Sequence, residues 1–530
     1  MKRFRYYLIN LLTPAFVFGS ITGVLTALAV TLYKVAAGFV IGLSERGYHF
    51  LRENPIYLLP VFFVMAGVSF FLAFLYRKIP NLKGGGIPTS IGILRGIITF
   101  KWLRNLIGIF VLSLVTFLSG VPLGNEGPSV QMGTAIGRGT VYSFAKKNKA
   151  WDRYAMTGGA CAGFSVATGA PISGIMFALE EAHQRLSPMI IIVSATSVMF
   201  AGITSEILAP IFGVSVTLFP EFDLITLTLR EIWLPLVVGI VIGLFSVAFL
   251  YYYRATNYLF NKKLKKVPHS VKLLFVFTVT LLLGLVSPHF ISTGHDLILT
   301  LFDGKIAVYM LLLILLVRAT LTLSANTNKL TGGMFVPFLA LGAVLSGAVG
   351  EAIEIVFGLP HEYYTVILIF GITACIASMM KTPITAIVFA IEALGCHNNI
   401  LYVIIVCAVS FVICEMFGAK SVNDAVVEDR VEELNEAKTA KVIDAYITVE
   451  KGAFAINKQI RDIFWPANLF VLSLRHGGRY AEVDEHGGKA IREGDILHVR
   501  YSTFDEDATR EELAAIVGSL AQQEKIVTEV

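Results

Sequence analysis

Gly124-Asn125-Glu126-Gly127-Pro128 interrupts a part of the chain that is otherwise almost wholly apolar. A carboxylate at membrane depth is costly unless it has a function. The flanking glycines leave backbone N–H groups free to turn toward a ligand, and Pro128 suits the first turn of a helix. Helix N-termini attract anions, and here the Glu126 carboxylate is an anion attached to the chain itself. We therefore interpret this stretch as an anion site with its own tethered competitor.

The composition identifies a membrane protein. The chain has 530 residues, of which 55% are hydrophobic and only 15% charged. Apolar blocks recur along most of its length, and several are short or broken by glycine and proline, which membrane proteins tolerate where broken helices line an internal cavity. We predict an all-α polytopic membrane domain with an internal inverted repeat and broken helices, followed by a small α+β cytoplasmic domain.

No pattern of residues indicates catalysis or a bound metal. The sequence contains no Walker-type lysine, HExxH motif or nucleophile elbow, so we do not expect an enzyme or a cofactor. The cysteines show no CxxC spacing, and we interpret them as buried small apolar residues rather than as disulfides or metal ligands. They are Cys161, Cys375, Cys396, Cys407 and Cys414.

Charge divides the chain into two parts. From Lys420 to the end the net charge is −7, whereas residues 1–419 carry a net charge of +12. We predict a transport domain over residues 1–425, a linker over 426–444 and a soluble regulatory domain over 445–530. Lys2, Arg3 and Arg5 precede the first apolar block, so the positive-inside tendency places the N-terminus in the cytoplasm. We expect a multi-pass protein of the cell membrane with both termini cytoplasmic.

The membrane part contains an internal repeat. Pro171–Glu180 closely matches Pro383–Glu392, 212 residues further on. The turn Gly332–Pro337 is the counterpart of Gly124–Pro128, since their final prolines are 209 residues apart. Paired repeats that each contain a broken helix point to a substrate site near the bilayer midplane. The number of spans in each half is ambiguous, and we favour inverted repeats because the irregular stretches of both halves could then meet.

A third glycine turn, Gly84–Pro88, also leads into an apolar helix. Alone it is weak evidence, because three consecutive glycines more often form a flexible turn. Together with Gly124–Pro128 and Gly332–Pro337, it supplies a third helix start whose N–H groups and dipole could hold an anion without a full positive charge. That suits transport, because an ion that is bound too firmly is not released.

Glu180 and Glu181 end an apolar helical run. Successive helix residues point about 100° apart, so at most one of them faces the Glu126 side. For Glu180, emergence of a helix end into water is an equally good interpretation. Glu392 ends the second copy of the repeat but is followed by Ala393. Glu181 is therefore present in one half alone, which makes it the better functional candidate.

The glycine motifs resemble those of a known family. G-G-G-I-P at Gly84–Pro88, G-N-E-G-P at Gly124–Pro128 and G-G-M-F-V-P at Gly332–Pro337 follow the order found in the CLC chloride channels and chloride/proton antiporters. The segment Pro171–Glu181 is similar to a further motif of that family. The resemblance covers about residues 10–425.

The resemblance implies roles for individual residues. Glu126 corresponds to the gating glutamate and Glu181 to the internal proton-transfer glutamate of the antiporters. The family also implies a homodimer with one pore per subunit and inverted halves. The implied anion-binding residues are Gly84, Gly85, Asn125, Glu126, Gly127, Met334, Phe335 and Asn423.

The two acids favour an exchanger. Glu126 could occupy the amide site meant for chloride, and its protonation would release it and admit an anion. Glu181 could supply that proton from the cytoplasmic side, coupling chloride and proton fluxes in opposite directions. The alternative is a passive voltage- or ligand-gated channel for chloride or another small anion such as fluoride, although Phe335 argues against fluoride.

Three positions depart from the family pattern. Gly85 stands where the family has a serine, which removes a hydroxyl donor to the central anion. Asn423 falls near the position of a family tyrosine, and its presence would leave the central site less closed on the cytoplasmic side. Asn125 replaces a basic residue but keeps its backbone amide. The first two changes leave anion selectivity and stoichiometry open.

The tail has a pattern of its own. Phe470–Leu474 and Ile496–Val499 predict short strands, and Arg475–Arg479 and Arg492–Asp495 predict tight turns. The tail resembles the C-terminal regulatory domain of potassium-conductance regulators, the TrkA-C or RCK-C type, over about residues 445–515.

Domains of this type pair as dimers, and some bind cyclic dinucleotides such as cyclic di-AMP at the dimer interface. The resemblance implies a ligand switch with Arg461, Asn468 and Arg475 placed to contact phosphate or base. A ligand-free dimerisation module is an equally good interpretation.

Overall fold

A computed structural model describes residues 11–145, 149–304, 306–435, 438–476, 479–483, 487–519 and 523–529. The basic residues Lys2, Arg3 and Arg5, and the centre of the turn predicted at 475–479, lie outside the described residues. The helices of the membrane part are α1 Thr13–Glu53, α2 Leu58–Lys78, α3 Ile87–Leu94, α4 Trp102–Leu118, α5 Glu126–Phe144, α6 Asp152–Thr168, α7 Pro171–Phe177, α8 Pro188–Phe212, α9 Trp233–Asn257, α10 His269–Val286, α11 His295–Asp303, α12 Val308–Thr327, α13 Phe335–Phe357, α14 Glu362–Met379, α15 Pro383–Glu392, α16 Ile400–Met416 and α17 Val422–Asn435.

The polytopic helical fold is confirmed. Within the described residues, eight helices are long and apolar enough to cross a membrane. Others are much shorter, including α3, α7 and α15, and a π-helix over Ala178–Ala182 continues α7. The short helices follow the glycine and proline turns of the sequence, so those turns do break the spans as expected.

Small residues allow the helices around the centre to pack closely. Helices α5 and α6 cross where Gly133 and Gly159 face each other, and a Cβ on either would lie 2.0 Å from the carbonyl oxygen of the other. Helices α1 and α8 cross in the same way at Gly23, where a Cβ would lie 2.2 Å from the carbonyl oxygen of Ser197. In membranes, such small residues let backbones approach and supply the packing that holds helices together.

The two copies of the repeat cap each other. The Glu180 carboxylate accepts hydrogen bonds from the backbone N–H groups of Ile384 and Thr385, at 2.9 and 2.8 Å, at the start of α15. In return, Glu392 accepts from Ile172 and Ser173, at 2.7 and 2.8 Å, at the start of α7. Glu180 therefore caps a helix of the other half, a contact that neither interpretation of this residue predicted. Each acid satisfies the free N–H groups of the other half's helix.

The tail forms an antiparallel sheet with one long helix. Its strands are β1 Lys441–Thr448, β2 Leu469–His476, β3 Arg479–Glu482, β4 Ile496–Thr503 and β5 Gln523–Glu529, arranged in the order β3-β2-β4-β1-β5. Alternate residues of β1 and β4, such as Ile443 and Val499, pack with residues of α18 (Glu506–Val517) to form a separate core. The two predicted strands are thus confirmed within β2 and β4.

Helix α17 connects the two parts and belongs structurally to the membrane body. It runs through residue 425, where the sequence analysis placed a boundary. Its Arg430 side chain is buried and donates to Thr89 on α3. Its Glu433 accepts a hydrogen bond of 2.8 Å from Lys83. The polar composition of this helix therefore reflects contacts with charged loops rather than a solvated linker.

Candidate functional site

The glycine turns of the two halves pair directly. The N–H of Gly124 donates to the carbonyl of Gly333 at 2.7 Å, and the N–H of Gly333 donates back to Gly124 at 2.8 Å. This isolated antiparallel bridge joins the turns that precede α5 and α13. The irregular stretches of the two repeats meet, as the sequence analysis expected.

The turn at Gly84–Pro88 joins this bridge at Gly86. A Cβ on Gly127 would lie 2.6 Å from the Cα of Gly333 and 3.1 Å from the Cα of Gly86. Gly86 itself has a φ of 101°, which side chains rarely adopt. Three backbones therefore cross at a point with no space for a side chain, and α3, α5 and α13 all begin within two residues of it.

Glu126 lies at this crossing and is 1% exposed. Its side chain folds back over Gly124, so that a Cβ there would be 2.3 Å from Oε2. That oxygen is buried and has no hydrogen-bond partner among the described residues. The backbone N–H of Val336, in the first turn of α13, lies close to the carboxylate. Val336 was not predicted together with Met334 and Phe335, because motif letters do not show which amide a side chain reaches.

Two further polar residues face Glu126 without having been predicted. Lys34 of α1 and His295 of α11 are both close enough to interact electrostatically with its carboxylate. Lys34 is held by the carbonyls of Val166 and Ser215, at 3.1 and 2.9 Å. Neither residue belongs to a recognisable motif, so only the packing of α1 and α11 reveals them.

The neighbours of Gly85 explain why this position holds a glycine and not a serine. A Cβ at this position would lie 2.6 Å from Cδ1 of Ile109 and 2.7 Å from Oε1 of Gln131. Gln131 is buried, accepts a 2.5 Å hydrogen bond from the N–H of Gly86 and donates to Asn105 at 3.1 Å. The space that a serine side chain would need is therefore filled by Ile109 and Gln131.

Around Met334 and Phe335 the surroundings are aromatic. The Phe335 ring meets the rings of Phe164 and Phe389 edge to face, with centroid distances of 5.1 and 5.4 Å. Both Met334 and Phe335 are buried. This packing holds the first turn of α13 in place beside the crossing.

Glu181 is the second buried acid and is 3% exposed. Its Oε1 accepts a hydrogen bond of 2.6 Å from the side-chain amide of Asn423. Its Oε2 is buried and has no partner among the described residues. Asn423 is thus the partner of Glu181, a contact that its loose alignment with a family tyrosine did not predict.

Arg95 and Asp424 hold the backbone around Glu181. The Arg95 guanidinium donates to the carbonyls of Glu181 and Ala182, both at 2.9 Å, and to the Asp424 carboxylate at 2.8 Å. This links the loop after α3, the π-helix and α17. Neither residue was predicted from the sequence, since a lone arginine and a lone aspartate carry no motif.

The three tail residues proposed as ligand contacts lie on separate elements. Arg461 belongs to a short 3₁₀ helix and bonds Gln459 at 2.7 Å, whereas Arg475 is in β2 opposite Ile496. Asn468 precedes β2 and has a φ of 56°, and its carbonyl accepts from Ser502 at 3.3 Å.

Within the part of the chain that the structure describes, no group of three His, Cys, Asp or Glu residues could hold a metal ion. The five cysteines are buried and free.

Comparisons with known proteins bear on most of the membrane part. The family model described as voltage gated chloride channel matches residues 67–415. An H(+)/Cl(-) exchange transporter ClcA from Salmonella arizonae is 28% identical over 429 residues, covering 80% of this chain and 90% of that protein.

Solved structures agree with this match. A slow cyanobacterial Cl-/H+ antiporter has a TM-score of 0.70 at 25% identity, over 80% of this chain and 98% of its own. A CLC-type fluoride/proton antiporter has a TM-score of 0.64 at 21% identity, over 77% of this chain and 96% of its own.

Proposed function

The chain belongs to the voltage gated chloride channel family, and we propose that it exchanges chloride for protons across a membrane. One observation carries the proposal. Two carboxylates, Glu126 and Glu181, are buried, and each has one oxygen without a hydrogen-bond partner among the described residues. A buried carboxylate oxygen that lacks a partner favours protonation or movement, and an exchanger needs two such groups on its proton path.

Glu126 acts at the anion site. Chloride binds the backbone N–H groups at the starts of α5 and α13, with Gly84, Gly85, Asn125, Gly127, Met334 and Phe335 lining its path. The Glu126 carboxylate lies close to the N–H of Val336, and we propose that it takes the place of the anion there. Protonation cancels its charge, weakens this contact and admits chloride. Because the carboxylate and chloride compete for one site, and protonation decides which of them occupies it, the proton and chloride fluxes are coupled.

Glu181 delivers the proton from the tail side of the membrane. The Asn423 amide holds one of its oxygens and leaves the other available to accept a proton. Arg95 fixes the surrounding backbone, so the acid keeps its position whether or not it is protonated.

A passive anion channel is the second candidate. It would use Glu126 as a gate and would have no need for Glu181 as a proton carrier. The names of the relatives above favour exchange, as does the burial of the second acid. The name of the Salmonella arizonae relative favours chloride over fluoride as the transported ion.

The test of this proposal is coupled transport. Purified protein in liposomes with an outward chloride gradient should drive protons inward against their own gradient. Chloride flux without any uphill proton movement would instead identify a channel. Absence of both fluxes would contradict each candidate.

We further propose a homodimer in the cell membrane with the tail and both termini in the cytoplasm. The exposed Ile172 on α7 and Ile384 on α15 are equivalent in the two repeats and offer one apolar face for a second copy. Cross-linking of cysteines introduced at these positions would detect the dimer, and the absence of any cross-link at either would contradict this interface.

The tail is proposed to be a TrkA-C type domain that binds a cyclic dinucleotide. Arg461, Asn468 and Arg475 are the proposed contacts, and they require a second tail to complete a site. Calorimetry of the full-length protein with cyclic di-AMP tests the proposal. Absence of heat at high ligand concentration would leave the tail as a dimerisation module without this ligand.

A further inference from the structure

A large cavity with an excess of positive charge opens on the tail side of the membrane body. Its volume is about 980 Å³, and it lies between the ends of α2, α9, α10, α12 and α17. The cationic side chains that line it, apart from His269, are Arg77, Lys83, Arg254, Lys262, Lys265, Lys266, Lys272 and Lys329. Four acids oppose these eight cations, and all four are on α17: Glu428, Asp429, Glu432 and Glu433.

Three of the four acids of α17 already have ion-pair or hydrogen-bond partners. Glu433 accepts from Lys83 at 2.8 Å and lies 3.8 Å from Lys329. Glu428 pairs at 2.8 Å with Lys420, which does not line the cavity. Asp429 is bonded by neutral donors, including the side-chain amide of Asn257 at 2.7 Å.

The remaining excess of cations is concentrated between α9 and α10. Arg254, Lys262 and Lys266 are exposed there at the rim of the cavity. A concave cluster of this kind attracts anions, and polyvalent anions most strongly.

One buried hydroxyl group in the cavity wall lacks a hydrogen-bond partner among the described residues. Thr327 lines the cavity, is 2% exposed, and its hydroxyl has no hydrogen-bond partner among the described residues. Buried polar groups are nearly always bonded, so a lone hydroxyl beside a basic cavity indicates a ligand or water there.

We propose that this cavity binds a phosphate group, held by Arg254, Lys262 and Lys266 at the rim. Lysine and arginine together suit phosphate oxygens. The phosphate could belong to an anionic lipid headgroup or to a soluble phosphate ester. Basic pockets between membrane helices are known to take anionic headgroups, and the exposed Leu259 and Phe275 provide an apolar surface for acyl chains beside this one.

Occupation would act on transport. Lys83 and Lys329 line the inner end of the cavity, and the N–H of Gly84 donates to the Lys329 carbonyl at 2.8 Å. A phosphate ligand that extends from the rim to this inner end would compete with chloride near the loop that leads to α3. This consequence rests on the proposed exchange, whereas binding itself does not.

The experiment measures binding to the full-length protein. Native mass spectrometry after reconstitution with phosphatidylglycerol, and calorimetry with pyrophosphate, separate the two sources of phosphate. The variant is R254Q/K262Q/K266Q, and the matched control is K101Q/R104Q/K438Q, which removes three exposed cations outside the cavity.

We expect the wild type and the control to bind at least one of the probes. The cavity variant should bind it on the order of a hundredfold more weakly, since each cation contributes about a factor of five near an anionic surface. Retention of phosphatidylglycerol alone identifies a lipid site, and binding of pyrophosphate identifies a soluble ligand. No binding of either probe, or equal losses in both variants, would overturn the proposal.

A second and independent observation concerns Phe464 of the tail. This residue is 5% exposed because its ring is enclosed by the membrane body. The rings of Tyr154 and His183 lie 4.4 Å from it, and the guanidinium groups of Arg153 and Arg185 lie over it at 5.0 and 4.6 Å.

Hydrogen bonds from the membrane body hold the backbone on both sides of Phe464. Tyr154 donates to the carbonyl of Asp462, and Arg153 donates to the carbonyl of Trp465, both at 2.5 Å. Ser187 donates to the Asp462 carboxylate at 3.2 Å. The tail is therefore held by α6 and by the loop over residues 183–187, which follows directly on the π-helix that carries Glu181.

We infer that Phe464 is a positioning residue for Glu181. By fixing His183 and Arg185, it limits movement of the segment that carries the acid. Release of the tail would therefore alter proton delivery more than anion binding. The inference rests on the proposed exchange. It also gives the tail a route to the transport site, whatever ligand the tail binds.

Phe464→Ala tests this, with Phe470→Ala as the matched control, because Phe470 is 66% exposed on the tail sheet. We expect Phe464→Ala to change the proton-to-chloride ratio in liposomes severalfold, while Phe470→Ala leaves it unchanged and Phe464→Tyr restores much of it. Limited proteolysis reports whether the tail is released. An unchanged ratio in Phe464→Ala would overturn the inference, whereas chloride flux without protons in the wild type would overturn the exchange itself.

Discussion

The two buried acids are held in opposite ways. Glu126 lies at a backbone crossing where Gly86, Gly127 and Gly333 have no room for side chains of their own, and Lys34 and His295 act on its carboxylate only through electrostatics. Glu181 is surrounded by side chains from distant elements, with Asn423 on its carboxylate and Arg95 on its carbonyl. Backbone amides suit a group that must exchange places with a halide, because they bind without a net charge. Side-chain partners suit a group that must hold one position and pass on a proton.

A second contrast lies within the repeat. Glu180 and Glu392 are equivalent, and each caps the other half's helix. Glu181 has Ala393 as its counterpart and therefore has no equivalent carboxylate. Residues that serve the fold are duplicated, whereas the acid proposed to carry protons occurs once.

The strongest test of the contrast is Glu126→Gln. The amide is isosteric but carries no charge, so it cannot compete with chloride or accept the transported proton. We expect chloride to pass while coupled proton uptake is lost completely, as measured by internal pH in liposomes. Coupling that survived in Glu126→Gln would show that the backbone site does not use this carboxylate.

Glu181→Gln should be nearly as severe for protons but milder for chloride. Loss of a positioned proton donor is expected to reduce proton flux by about 10²-fold or more. Its neighbour provides the control, since Glu180→Gln removes a helix cap and leaves the proposed proton path intact. Equal proton fluxes in the two variants would remove the distinction between the adjacent acids.

Asn423→Leu should have an intermediate effect. It removes the hydrogen bond to Glu181 but leaves the acid in place, and bonds to charged groups contribute about 1.5–3 kcal/mol. We expect proton flux to fall severalfold, while chloride binding measured by calorimetry remains close to that of the wild type. A larger loss of chloride binding than of proton flux would instead assign Asn423 to the anion path.

The reciprocal caps predict equal losses of stability. Glu180→Gln and Glu392→Gln should each lower the free energy of unfolding by about 1–3 kcal/mol, because each leaves two backbone N–H groups with a weaker acceptor. Thermal unfolding in detergent measures both variants. A large difference between them would contradict the two-fold equivalence of these contacts.

The smallest effect is expected at Asp444, a partly exposed carboxylate in the tail that is fully paired. Burial tends to raise its pKa, but hydrogen bonds from Arg500 and His498 outweigh burial and hold the pKa of Asp444 below its ordinary value. The stabilisation that Asp444 gives to the folded protein is therefore present above the ordinary pKa. It is lost as the pH falls through the lower pKa of the folded state. Asp444→Asn should cost about 0.5 kcal/mol at neutral pH, and the difference from wild type should vanish in acid. A variant as stable as the wild type at pH 7 would contradict this.

By itself the sequence determined the membrane class, the positions at which helices break, the internal repeat and the two candidate acids. These follow from local properties, since apolar length specifies a span, and glycine and proline specify a break wherever they occur. The pairing of Gly124 with Gly333 could also be anticipated, because the repeat required equivalent turns to meet.

The tertiary structure alone decided the partners of those residues. Val336 beside Glu126, Asn423 beside Glu181 and Gln131 in the space next to Gly85 are contacts between elements far apart in the chain. Arg95 and Phe464 carry no motif that could have pointed to them. A side chain's partner depends on helix crossings that are set by packing over the whole membrane body. Local sequence patterns do not specify the distances between elements that are far apart in the chain.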